Sequence, residues 1–129
     1  MAAEIETHTI YELAGGLDAF RRLADLFYDR LASDDLLRPM FPADFREPKQ
    51  RLALFLAQYF GGPPKYSEQR GHPRLRMRHL PFKIGKRERD AWLGHMLAAL
   101  DAAGIEEPAN SAMRAYFEEG SIFMINATE

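Results

Sequence analysis

The chain has 129 residues, with 17 basic against 19 acidic side chains and no cysteine. That length suits one domain with one core, and a net charge of −2 points to neither nucleic acid nor a membrane surface. The missing cysteine excludes disulfides, thiolate nucleophiles and cysteine-rich metal sites. No apolar run reaches the roughly eighteen residues of a membrane span. The start, MAAEIETHTIYELAGG, lacks the basic-then-apolar pattern of a signal peptide, so a soluble cytoplasmic protein is expected.

Thr9 can cap a short helix, Ile10 to Ala14, which Gly15-Gly16 ends. A longer helix follows from Leu17 to Ala32, with Leu17, Phe20, Leu23, Ala24, Phe27, Tyr28 and Leu31 on one stripe. Ser33-Asp34-Asp35 breaks it and caps a brief turn, Leu36-Leu37-Arg38. Phe41 stands in a bent corner between Pro39 and Pro42. Pro48 suits the first turn of the next helix, whose apolar face is Leu52, Phe55, Leu56 and Tyr59, and Gly61-Gly62-Pro63-Pro64 stops it. From there to Pro73 the polar, aperiodic chain reads as loop. Pro73 and Pro81 bracket a segment of one or two turns that carries His79.

A long helix is predicted from Lys86 to Ala103, with Trp92, Leu93, Met96, Leu97 and Leu100 inward and Gly104 at its end. Pro108 and Asn110 open a last helix with the stripe Met113, Tyr116, Phe117, Phe123 and Met124. No segment alternates with period two, so the fold class is all-α, with four substantial helices and two or three short ones.

No phosphate loop, nucleophile elbow or paired-histidine zinc motif occurs. His72, His79 and His95 stand apart without acids at supporting spacing, which makes zinc a weak reading. Between Arg70 and Arg89 lie eight basic residues opposed only by Glu88; a solvated basic face is the plain explanation, beside phosphate contacts to nucleic acid or a clamp on a small anionic ligand. The nine phenylalanines, five tyrosines and six methionines fill a core or line a site for a flat apolar ligand. A lone histidine on an apolar face is usually a satisfied core residue. Its companions sharpen the reading here. Tyr28 and Trp92, on inward stripes, each bring a donor that needs a partner when buried, and Phe41 supplies a fixed aromatic wall. Together they suit a five-coordinate metal cofactor with a diatomic ligand on its open side.

From about Ile10 to Asn126 the sequence resembles a truncated haemoglobin of group II. The resemblance rests on Gly15-Gly16, Phe27-Tyr28, Phe41-Pro42, FLAQYFGGPPKYSEQRGHPRLRMRHLPF from Phe55 to Phe82, and ERDAWL from Glu88 to Leu93. It implies a two-over-two helical sandwich around haem b that binds O2 and other diatomic ligands such as NO and CO. Residue by residue, it makes His79 the proximal iron ligand, Tyr28 and Trp92 the distal donors, Phe41 the corner wedge, and Leu52, Phe55 and Leu56 the cover over the porphyrin. Leu75, Phe82, Ile84 and Met96 are expected to complete the haem lining. Some of Arg51, Tyr66, His72, Arg76 and Arg78 are expected at the propionates. Two departures stand out. Phe41 replaces the corner tyrosine of some relatives, and Pro48 stands near the place where many globins carry a distal histidine or glutamine.

Beyond binding, the resemblance implies redox work such as nitric oxide detoxification or peroxidase-like turnover, with a reductase as partner, or simple O2 storage or delivery. A haem-free helical module that binds nucleic acid through its basic stretch is the reading from another class, and the motif set opposes it. No nucleic acid and no membrane is expected as partner; whether the chain forms a homo-oligomer stays open.

Overall fold

The computed structural model describes residues 8–128, and every described element is helical. In chain order these are α1 (Ile10–Ala14), α2 (Leu17–Leu31), a 3-10 turn (Arg38–Met40), α3 (Arg46–Tyr59), α4 (Lys65–Arg70), α5 (Leu75–His79), α6 (Lys86–Ala102) and α7 (Ala109–Ile122).

Four helices form two layers. The α2 stripe turns Phe20, Leu23, Phe27 and Leu31 into the core, where they meet Met96 and Leu100 of α6 and Met113 and Phe117 of α7, all essentially solvent-free. Each such side chain contributes roughly 1.5–3 kcal/mol by leaving water. α2 packs on α3, α6 packs on α7, and α2 on α6 joins the layers.

α1 locks onto this body through local chemistry. The Thr9 hydroxyl accepts from the Glu12 N–H at 3.1 Å, while the Glu12 carboxylate accepts from the Thr9 N–H at 3.1 Å, a reciprocal cap. Tyr11 N–H then donates to the Phe60 carbonyl at 2.9 Å, which draws α1 against the end of α3. This contact explains the second glycine pair. Gly61 has φ +102°, and a Cβ there would come within 2.7 Å of Thr9 Cβ; at Gly62 it would meet the Tyr11 ring at 2.6 Å and the Ala57 carbonyl at 2.8 Å.

Two sequence expectations change. The stretch after Gly61-Gly62 is not all loop, because α4 occupies Lys65–Arg70. α4 has no apolar period to announce it. It is held by burial of Tyr66 and by Gln58, whose amide donates to the Ser67 hydroxyl at 2.8 Å and accepts from the Ser67 N–H at 2.9 Å. Phe123 does not join the α7 stripe; the helix ends at Ile122, and Phe123 is 68% exposed. The expected turn at Leu36–Arg38 is present: the Asp34 carboxylate takes the Leu36 and Leu37 N–H groups at 2.8 and 3.2 Å, the Arg38 N–H donates to the Asp34 carbonyl at 2.8 Å, and the 3-10 turn continues it. Pro48, the third residue of α3, does fall in the first turn, where backbone N–H groups have no helical partner.

Candidate functional site

Between the layers lies a cavity of about 260 Å³, lined almost wholly by apolar side chains. α3 contributes Leu52, Phe55 and Leu56; the corner contributes Leu37, Met40 and Phe41; α5 and the strap after it contribute Leu75, His79, Phe82 and Ile84. Tyr28 of α2 and Trp92 of α6 complete the wall expected from sequence.

His79 owes its setting to a helix of five residues. Arg74, its N-cap, holds the left-handed conformation at φ 49°, uncommon for a residue with a Cβ. The imidazole Nδ1 lies 2.6 Å from the Leu75 carbonyl oxygen, one turn back. A carbonyl only accepts, so Nδ1 carries the hydrogen and Nε2 presents a lone pair. Among the described residues Nε2 has no hydrogen-bond partner. The imidazole is therefore oriented and basic on the nitrogen left free. That is what a metal ligand requires.

The Tyr28 ring is held by aromatic neighbours: Phe27 edge-on at 5.1 Å, Phe41 edge-on at 5.8 Å and Phe45 at 4.9 Å between centroids. Its hydroxyl has no protein partner among the described residues, and burial pushes its pKa up to about 12, so it remains protonated as a standing donor. Trp92 sits between Phe27 at 5.7 Å and Phe117 at 6.0 Å, and its indole N–H likewise has no partner among the described residues. Two donors and one free imidazole nitrogen thus belong to a cavity whose remaining wall is mostly apolar. Such a donor set fits a flat apolar group that carries a metal at its centre.

The corner that fixes Phe41 is tied from two sides. Arg38 donates to the carbonyls of Phe41 and Pro42 at 3.1 Å each and of Ala43 at 3.2 Å, and its guanidinium lies 4.3 Å over the Phe45 ring. From α6, His95 Nε2 meets the Asp34 carboxylate at 2.6 Å while Arg30 Nε donates to His95 Nδ1 at 3.3 Å. That network assigns the neutral tautomer with hydrogen on Nε2. The bond from His95, first among its causes, holds the Asp34 carboxyl below its usual range. His95 is thus engaged in bracing.

The residues expected at the propionates do not line the cavity. Arg76 donates to the carbonyls of Phe123 and Ile125, and Arg78 to those of Pro73 at 2.7 Å and Arg70 at 3.5 Å. His72 is exposed and accepts from the Arg74 N–H at 3.2 Å. Tyr66 is buried against Phe55, and Arg51 sits 3.8 Å from Glu47. Met96 is also set off the wall: one turn beyond Trp92, it already faces the core between the layers and is 0% exposed.

Other lining residues went unread as site residues. Tyr116, Phe117 and Met124 carried a signal, being on the predicted α7 stripe, and Met40 stood beside Phe41. Glu88 and Arg89 stood in the ERDAWL motif, Arg89 also in the basic window, without being named as lining, while Gly120 and Ser121 carried no signal. Glu88 caps α6 by accepting from the Gly85 N–H at 2.7 Å, the main reason its carboxyl titrates low. Arg89 braces α6 on α7, donating to the Ser121 hydroxyl at 2.9 Å and the Glu118 carbonyl at 2.8 Å.

Residues 9–126 match the profile of the bacterial-like globins. A group 2 truncated haemoglobin of Bacillus subtilis is 44% identical over 114 residues, which cover 88% of this chain and 86% of that protein. Among solved structures, the haemoglobin of the thermophilic phototroph Chloroflexus aurantiacus superposes with a TM-score of 0.91 at 59% identity, covering 93% of this chain and 99% of that one. A thermostable haemoglobin from Thermobifida fusca gives 0.91 at 47% identity, covering 95% of this chain and 100% of its own.

Proposed function

The chain belongs to the bacterial-like globin family, as a group 2 truncated haemoglobin that binds oxygen, and from that premise we propose that its cavity holds haem b on His79. The observation that carries this reading is the free Nε2 of His79, oriented from behind by the Leu75 carbonyl at 2.6 Å, on the wall of an apolar cavity. When bound there, the haem supplies an iron centre that takes a diatomic ligand. His79 is the one histidine among the described lining residues, so it would be the protein's one histidine ligand to the iron, and the cavity beside Tyr28 and Trp92 would be left to the diatomic ligand.

The chain's own residues then decide what is retained. Tyr28 and Trp92 donate into the cavity, and a ligand that gathers negative charge, as O2 does more than CO, is held by charge-assisted hydrogen bonds. Phe41, Leu52, Phe55 and Leu56 keep water away, which strengthens those bonds. Tight retention suits chemistry on the ligand, such as nitric oxide detoxification or peroxidase-like turnover, better than delivery. That chemistry consumes electrons, so a reductase is the partner it calls for.

The test is the ultraviolet–visible spectrum of the purified protein, ferric, then reduced, then under O2 and CO. A Soret band that moves at each step, and that loses its normal coordination in His79→Ala, is expected. A featureless spectrum after haem has been added would overturn the reading.

A further inference from the structure

α5 is too short to hold itself. An isolated helix of five residues has no stability in water, and this one lacks a side-chain N-cap, begins at a left-handed Arg74 and buries none of its residues. His79 nevertheless needs a fixed direction, since its Nδ1 bond to Leu75 orients the ring relative to α5 but not α5 relative to the cavity. Something outside the helix has to do that.

The chain end does. The Asn126 side-chain amide donates to the His79 carbonyl at 3.2 Å and to the Phe82 carbonyl at 2.9 Å, and its oxygen accepts from the Ile84 N–H at 2.9 Å. Its backbone N–H donates to the Ile84 carbonyl at 2.8 Å. Oxygen and nitrogen are distinguished by their partners here, because a flipped amide would set N–H against N–H and oxygen against two carbonyls. Three backbone groups of the segment that leaves His79 are thus satisfied by one side chain 42 to 47 residues away. Arg76, three residues before His79, adds donations to the carbonyls of Phe123 and Ile125. We propose that Asn126 is a positioning residue for His79, clamping the proximal segment from the chain end so that the imidazole keeps one direction toward the haem. This rests on the assignment of His79 as haem ligand.

Only an amide satisfies the three partners. Asn126→Ala removes all of them, and Asn126→Asp keeps the size and one acceptor while it sets an oxygen against the carbonyls of His79 and Phe82. In the reduced, haem-loaded protein both variants should broaden and shift the resonance Raman iron–histidine stretching band. Hydrogen exchange at the Ile84 amide should speed up about tenfold or more, the loss of at least one net hydrogen bond. The stretching band of the CO complex, set by Tyr28 and Trp92, should stay in place. Gly62→Ala, which loosens the distant α1–α3 contact, serves as the comparison for general destabilisation and should leave the iron–histidine band at its wild-type position.

Wild-type bands and exchange in both Asn126 variants would overturn the clamp, as would an equal shift in Gly62→Ala. Absence of an iron–histidine band from the wild type would remove the assignment of His79 and the clamp with it.

Discussion

Tyr28→Phe isolates one atom. The ring keeps its contacts with Phe27, Phe41 and Phe45, all between carbon atoms, so the packing of α2 is preserved. The hydroxyl has no protein partner among the described residues, so its removal breaks no bond within the fold. The apoprotein should keep its stability within about 0.5 kcal/mol. Ligand retention should change sharply. A hydrogen bond to a charged acceptor contributes roughly 1.5–3 kcal/mol, which predicts O2 release about ten- to a hundredfold faster, with a much smaller change for CO. Stopped-flow displacement of O2 and of CO, beside thermal unfolding of the apoprotein, separates these effects. Release of O2 at the wild-type rate would show that Tyr28 does not face the ligand. Equal acceleration of O2 and CO would trace the effect to access, and the donor assignment would fail.

Gly62→Ala forces a Cβ to 2.8 Å from the Ala57 carbonyl, a backbone atom that cannot swing away, and should destabilise the protein by about 1–3 kcal/mol in urea unfolding without loss of haem contacts. Asp34→Ala removes both the cap on the corner and the partner of His95, and should lower stability by about 1–3 kcal/mol in the same assay. Alkali gives a signed test. Tyr28 and Tyr116 are both pushed up to about 12 by burial, so above pH 10 the unfolded chain loses phenolic protons that the folded chain keeps. The contribution of these two tyrosines should therefore be constant below about pH 10, so that stability declines as pH rises from about 10 toward about 12, and declines less in Tyr116→Phe, measured by thermal unfolding across that range.

Periodicity alone located the four long helices, since spacings of three and four are a local property of the sequence: the α2 stripe from Phe20 to Leu31 is buried as read. The family motifs singled out His79, Tyr28, Phe41 and Trp92 on four separate stretches of the chain, and all four line one cavity. α4 could not be read, because its stability comes from Gln58 and from the burial of Tyr66 rather than from any period of its own. The partners of the arginines could not be read for the same reason. Long side chains bond whatever carbonyl folding brings near, so Arg76 turned to the chain end and Arg89 to α7. Charge in a sequence marks who can donate, whereas the acceptor is chosen by the segment that folding brings near, 47 residues away for Arg76 and 29 for Arg89. The sequence determined which residue types can serve the cavity; the packing of the chain end against α5 decided how the segment that carries His79 is held.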